Sequence, residues 1–325
     1  MGNFKMRIEC PACRSNNFTI LITTLYSDPS LAGYLDRYYR SQGNPDFARL
    51  TGEEFRLARC NKCRLIFQDR VPNDEFLMEL YEKWITPCPP TRGTQNYDES
   101  HRRFRDIRLI LRIIKHLRIP SRGIRVLDFG MGWCEWLFAA RGLGCEICGI
   151  ELSPARIAFA AANGVRVLRP EELSNYTFDI INCEQVLEHL EDPRGALESL
   201  QRCLAFNGVI IVSVPNVVPI ERRLRLFQSI DWSGERHTRE RSNPTEAVTP
   251  LEHLNSFNGR ALRSLANRCG LREVNFSIGN IIQTTALDFD SMKDVLKALI
   301  IRFGFTNGVT SVILTHRNLS PHKLA

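Results

Sequence analysis

Four cysteines come in two matched pairs, Cys10-Pro-Ala-Cys13 and Cys60-Asn-Lys-Cys63. A tight turn lets each Cys-x2-Cys pair present two thiolates to one metal ion. Two pairs complete a closed tetrahedral four-thiolate site, the structural type that holds zinc. The other reading is four ordinary buried thiols. A third pair, Cys145-Glu-Ile-Cys148, has the same spacing but falls in a predicted strand. Residues three apart on a strand point to opposite faces, so this pair is not expected to share a metal. The gap between the two metal pairs carries Leu25, Tyr26, Leu31, Tyr34, Tyr38, Tyr39, Phe47 and Leu50, enough for a helix or hairpin. The module as a whole, residues 1–90, is expected to be a strand-poor zinc-ribbon-like unit that depends on its metal.

A second group of residues could bind a nucleoside. Ile124-Arg-Val-Leu-Asp128-Phe129-Gly130-Met-Gly132 reads as a buried strand entering a glycine-rich turn. Trp136 to Arg141 reads as the next helix, and Cys145 to Glu151 as a second strand ending in an acid. The acid follows the first glycine by about twenty residues, the layout in which glycines admit a ligand to the backbone and the acid takes ribose hydroxyls.

The surrounding elements fit an α/β sheet. Arg105 to Leu117 places Ile107, Ile110, Leu111, Ile114 and Leu117 on one helical face. Helices are expected from Ser153 to Asn163, with Ser153 as N-cap and Pro154 in the first turn, from Pro193 to Leu204, and within Leu251 to Cys269. Strands are expected at Val165 to Leu168, Phe178 to Asn182, Gly208 to Val214, Val274 to Ile282 and Thr310 to Thr315. Strands alternating with helices imply a doubly wound, mostly parallel sheet with its ligand at the carboxyl ends of the strands.

The 325 residues are 43% hydrophobic and 24% charged, which excludes collagenous and largely disordered classes. No apolar run approaches the ~20 residues that span a bilayer. The N-terminus lacks the apolar core of a signal peptide and the cysteine count is odd, so a cytoplasmic setting is expected. The net charge is +7, and only seven of 43 basic residues are Lys. Arginine forks onto phosphate or carboxylate, so an anionic partner is one reading and a solvated surface the other.

Val126-Leu-Asp-Phe-Gly-Met-Gly132 resembles the first motif of the class I S-adenosylmethionine-dependent methyltransferases. Glu151 resembles their ribose-binding acid. Phe178 to His189 with Asp192-Pro193 resembles their fourth-strand motif, Gly208 to Asn216 their fifth strand, and His253-Leu-Asn-Ser-Phe257 a segment that recurs in them. The resemblance implies a Rossmann-like seven-stranded domain over residues 91–325 with S-adenosylmethionine as cofactor. Implied roles follow residue by residue. Gly130 and Gly132 admit the methionine end, Asp128 orients that loop, Glu151 binds ribose, and Leu152 packs on adenine. Cys183 and Glu184 offer backbone contacts. Phe129, Met131 and Trp133 shape the cofactor wall or simply pack. A four-Cys module ahead of such a domain is similar to the deoxysugar C-methyltransferases and related glycan and natural-product enzymes, and Cys60 to Phe67, Pro72 and Tyr81 look like that module's end. Some relatives hold a catalytic metal with Glu-x-x-Glu-His. Here Gln185 replaces the first carboxylate and Glu184 is offset by one, so no catalytic metal is expected.

Methyl transfer needs alignment, exclusion of water and a base for an oxygen or carbon acid acceptor. His253 is the candidate base or acceptor-binding group, with His189 and Glu188 lining the site. Each histidine equally reads as structural, His189 as a cap of its turn and His253 as a link to a cap insertion around 216–250. Tyr97 either closes over the cofactor or packs. The arginines of the cap (Arg222, Arg223, Arg225, Arg236, Arg239, Arg241) suit the diphosphate of a nucleotide-linked sugar, or else coat a solvated helix from Pro219 to Gln228. A small-molecule acceptor is the leading expectation. An RNA methyltransferase docking phosphates through its zinc module and arginines is the alternative, and a non-catalytic zinc scaffold a third. The Asn-Pro-Pro-Tyr motif of base N-methylation is missing after the fourth strand, and Pro87-Cys88 stands in the wrong place for a cytosine C5 nucleophile. The arginines concentrate in Arg102 to Arg118 and Arg222 to Arg241, which favours local anion recognition over a continuous nucleic-acid face.

Overall fold

The computed structural model describes residues 2–85, 97–232, 244–274 and 309–317. The N-terminal part is not strand-poor, contrary to expectation. It holds β1 (Phe4–Met6), β2 (Phe18–Leu25), α1 (Pro29–Arg40), β3 (Glu54–Cys60), β4 (Ile66–Gln68), β5 (Arg70–Pro72) and α2 (Asp74–Glu79), then a π-type turn, Leu80–Trp84. β1 pairs with β5, and β2, β3 and β4 form an antiparallel meander. Asp28 and Asn73 cap the two helices through their side chains. The aromatic residues between the cysteine pairs build an apolar core of their own, with Tyr39, Phe55, Phe76 and Trp84 fully buried.

The rest is the doubly wound sheet. α3 (Tyr97–Leu117) begins earlier than the expected Arg105. Then follow β6 (Arg125–Phe129), α4 (Glu135–Gly142), β7 (Glu146–Ile150), α5 (Pro154–Ala162), β8 (Arg166–Val167), β9 (Phe178–Glu184), α6 (Pro193–Arg202) and β10 (Leu204–Pro215). α7 (Val218–Phe227), β11 (Asn255–Ser256), α8 (Gly259–Arg268), β12 (Leu271–Glu273) and β13 (Val309–His316) complete it. The strand order is β12-β13-β10-β9-β6-β7-β8, with β13 antiparallel to both neighbours and the other pairings parallel. Side chains alternate between two buried faces, as a sheet covered on both sides requires. Val126, Ile180 and Ile211 join the core beneath α3, α4 and α5. Leu127, Ile181 and Ile210 join the core that includes Leu197 of α6 and Leu262 of α8. Of the strand expected at Val274 to Ile282, all but Val274 lies outside the described residues, and the strand beside β13 is β12.

Two long-range contacts position the site. β11 pairs with β4, so Asn255 and Ser256 form an edge strand of the N-terminal sheet, while Phe257 bridges Asn216 just past β10. The cap in one reading is a solvated helix from Pro219 to Gln228. Its described part is instead α7 with Ile220 and Leu224 buried, followed by Ile230 and Trp232, all packed into the N-terminal aromatic core. The cap residues Arg236, Arg239 and Arg241, the Pro87-Cys88 pair and the Tyr97 side chain lie outside the described residues.

Candidate functional site

The glycine turn is built where β6, β7 and β9 finish. Asp128 and Asn182 face each other across β6 and β9, and Asn182 Nδ2 donates to Asp128 Oδ1 at 2.9 Å. Burial pushes the Asp128 carboxyl up to about 7, against that hydrogen bond. The chain then turns through Gly130 (φ +84°) and Gly132 (φ +52°), a backbone region that side chains disfavour. A Cβ on Gly130 would lie 2.5 Å from Val186 Cγ2, so this glycine lets the turn seat on the loop after β9. A Cβ on Gly132 would meet nothing within 4 Å, which leaves open space at that turn.

Glu151 closes the arrangement. Its Oε2 accepts from Gly132 N at 3.0 Å, and Oε1 accepts from Leu152 N at 2.8 Å and Ser153 N at 3.0 Å. Ser153 sits at the N-cap of α5 but makes no side-chain cap bond, contrary to expectation. Leu152 is 78% exposed, an open apolar surface beside Glu151. Met131 is buried, its side chain in the space Gly149 leaves by lacking a Cβ. Trp133 packs edge-on against Phe159. Phe129 packs on the core, and Cys183 is fully buried in it. Glu184 is half-exposed, with its carboxylate 3.8 Å from Arg105 Nη2.

The second end assembles Glu188, His189 and His253, whose ligating atoms lie within 4.8 Å of one another. These three groups could hold a metal ion even though Gln185 stands in place of a carboxylate. The rings of His189 and His253 meet edge to face at 4.7 Å. Each keeps some accessible surface, yet desolvation pulls His189 down to about 4 and His253 to about 3. Both rings are therefore held neutral, and a proton placed on either would need a nearby carboxylate to stabilise it. The groups brought near neutrality are carboxyls. Glu188 is buried with neither oxygen partnered, and desolvation pushes it up to about 8. Burial takes Glu252 to about 7, against the pull of the Tyr39 and Tyr38 hydroxyls.

Two members of this end had no site role in the sequence reading. Glu252 precedes His253 but carried no motif of its own. Tyr81, on the π-type turn, places its hydroxyl 3.3 Å from His189 Nδ1. Burial and the charges of Glu252 and Glu188 raise the Tyr81 phenol, so it stays protonated beside that ring nitrogen. Their separation of 108 residues hides this pair from any local pattern.

The four cysteines converge as the spacing requires. Cys10 Sγ lies 3.5 Å from Cys63 Sγ and Cys13 Sγ 3.4 Å from Cys60 Sγ, and all four are buried. The two turns repeat one geometry: Arg14 N donates to Cys10 O and Arg64 N to Cys60 O, with both arginines at positive φ. A tetrahedral ion with ~2.3 Å bonds needs sulfurs ~3.8 Å apart, so small outward shifts would admit zinc. Cys145 and Cys148 take no part, and pack into different cores.

A family described as "Methyltransferase domain" matches residues 100–275. That is more than half of the chain, and the chain belongs to this family. It is similar to the ubiquinone biosynthesis O-methyltransferase of Xanthomonas oryzae pv. oryzae (strain PXO99A), 29% identical over 113 residues that cover 31% of this chain and 47% of that protein. The chain thus spans about half the length of that relative. The protein of the same name from Xylella fastidiosa (strain 9a5c) is 27% identical over 48% of this chain and 72% of its own length. Among solved structures, PKMT2 from Rickettsia typhi in complex with AdoHcy covers 66% of this chain and 53% of its own, at 17% identity and a TM-score of 0.43.

Proposed function

We propose that this protein transfers a methyl group from S-adenosylmethionine to a small-molecule acceptor, a nucleotide-linked sugar or a comparable biosynthetic intermediate. The observation that carries the reading is the pairing of two groups past the carboxyl ends of β6, β7 and β9: a glycine turn locked to Glu151 and seated on Val186, and the Glu188-His189-His253 cluster on the same loop after β9. Gly132 leaves open space where a cofactor's methionine end would approach, and Glu151 presents an acid beside the exposed Leu152 for ribose and adenine. Asp128, Cys183 and Glu184 complete that side at the ends of β6 and β9. The bound cofactor supplies an electrophilic methyl group on a sulfonium.

At the acceptor side, His253 Nδ1 is buried without a partner and is the atom that receives the acceptor's proton. His189 packs against it and is held by Tyr81. Once ionised, Glu188 and Glu252 stabilise the resulting imidazolium, so turnover rises as they lose protons near pH 7 to 8. Phosphate contacts of a nucleotide-linked acceptor are assigned to the exposed Arg222 and Arg225 of α7. Cys10, Cys13, Cys60 and Cys63 hold a structural zinc. A nucleic-acid acceptor is disfavoured because many arginines are committed to carboxylates, among them Arg49–Glu79, Arg56–Asp69 and Arg223–Asp231.

Transfer of labelled methyl from S-adenosylmethionine to a panel of nucleotide-linked sugars, quinol precursors and RNA tests the reading. It predicts label in a small molecule and a loss of about 100-fold or more in His253→Ala, the scale of a lost general base. Label in RNA alone, or full activity in that variant, would contradict it.

A further inference from the structure

We infer that Arg7 is a positioning residue whose single guanidinium fixes the backbones that carry both His189 and His253. The inference rests on reading those histidines as the acceptor side. Arg7 follows β1 and is buried, its own N–H donating to Asp69 O at 2.7 Å. Nη1 donates to Leu254 O at 3.2 Å and to Asn255 Oδ1 at 3.0 Å, and reaches Gln68 O at 3.5 Å. Nη2 donates to Glu191 O at 3.1 Å. Leu254 adjoins His253, and Glu191 lies two residues past His189.

Asn255 extends the same brace. Its Nδ2 donates to Leu187 O at 3.0 Å and Leu190 O at 2.6 Å, and its N–H to Glu188 O at 3.0 Å. Gln68 Nε2 donates to His253 O at 3.0 Å. The segments 187–191 and 253–255 are therefore tied to each other and to the N-terminal sheet by one connected set of donors. Burying a cation is costly unless its donors are satisfied. Here they are met by carbonyls and an amide, and desolvation pulls Arg7 down to about 10. The planar fork reaches both segments at once, which a single ammonium cannot do. Arg7 belongs to no motif. It stands three residues before Cys10, so the zinc turn fixes the stretch that delivers it.

Without Arg7, Asn255 Oδ1 and Glu191 O lose the guanidinium and Leu254 O keeps only the Gln68 N–H, so the two segments loosen and water reaches the histidine rings. Ring NMR of His189 and His253 in the full-length, zinc-loaded protein reads this directly. Glu188, Glu252 and Tyr81 face these rings and are unchanged in every variant. The wild type is expected to show a nuclear Overhauser contact between the two rings, which meet at 4.7 Å. In Arg7→Ala that contact falls by half or more, Arg7→Lys falls between, and Arg14→Ala, which removes the surface pairs with Glu9 and Asp192, leaves it unmoved. A wild-type contact in folded Arg7→Ala overturns the inference. Should that variant not fold, Asn255→Ala carries the same test with the same two outcomes. The readout needs no acceptor, so failure of the methyl-transfer reading would show separately, as absent label with the Arg7-dependent ring contact intact.

Discussion

Glu188 shows how much the enclosure of a single side chain decides. Both oxygens are buried and unpartnered, so the folded state holds a proton that the unfolded chain releases above its ordinary value of 4.5. With the folded value near 8, the native state binds more protons than the unfolded state between those limits, and stability falls as pH rises through them. His189 and His253 act oppositely, being lowered on folding, but their contribution is complete once pH exceeds 6.5. Between pH 6.5 and 8 the carboxyls remain. Urea unfolding should show wild-type stability dropping by roughly 1 to 2 kcal/mol over that interval from Glu188 alone. Glu188→Gln should flatten the slope. An equal slope in the variant would place the titration elsewhere.

At the scale of elements, the two cysteine turns and the glycine turn were legible in the sequence because each is local. Cys-x2-Cys fixes a turn within four residues, and strand, glycines, helix and acid fall within about thirty in a βαβ unit. Their partners were not legible. The pairing of β11 with β4 joins residues near 255 to residues near 67, and no periodicity records it. Part of the strand content of the N-terminal part was missed because β1, β4 and β5 have three residues each, too few to show alternation, and the eight-residue β2 lacks a clean alternation of buried and exposed positions. The cysteine turns carry their own prediction. Their sulfurs sit in one core with Leu187 and Phe257, so metal loss would disturb both parts. Purified protein should hold one zinc per chain, and a strong chelator should lower Tm by roughly 10 °C or more. An unchanged melting curve after complete zinc removal would return the four cysteines to ordinary buried thiols.

Over the whole molecule, the two parts share their cores. The aromatic core of the N-terminal part takes Ile220, Leu224, Trp232 and Val248 from beyond the large sheet, and Arg37 Nη2 donates to Trp232 O at 3.0 Å. The histidine cluster is composite, with Tyr81 from one part and His189, Glu252 and His253 from the other. This is why His253 and His189 could be named from sequence while Tyr81, Glu252 and Arg7 could not: the missing members arrive through tertiary contacts. Part of the positive charge that first suggested a phosphate-binding face sits in ion pairs within the fold, such as Arg56–Asp69 and Arg223–Asp231, although the net +7 remains. The central claim is that the Gly130–Gly132 turn and Glu151 bind S-adenosylmethionine. Calorimetric titration of the purified protein tests it most directly. The account predicts one site per chain, weakened about 10- to 100-fold in Glu151→Ala, the scale of charge-assisted hydrogen bonds to ribose. Absence of binding to the wild type, or equal affinity in Glu151→Ala, would contradict it.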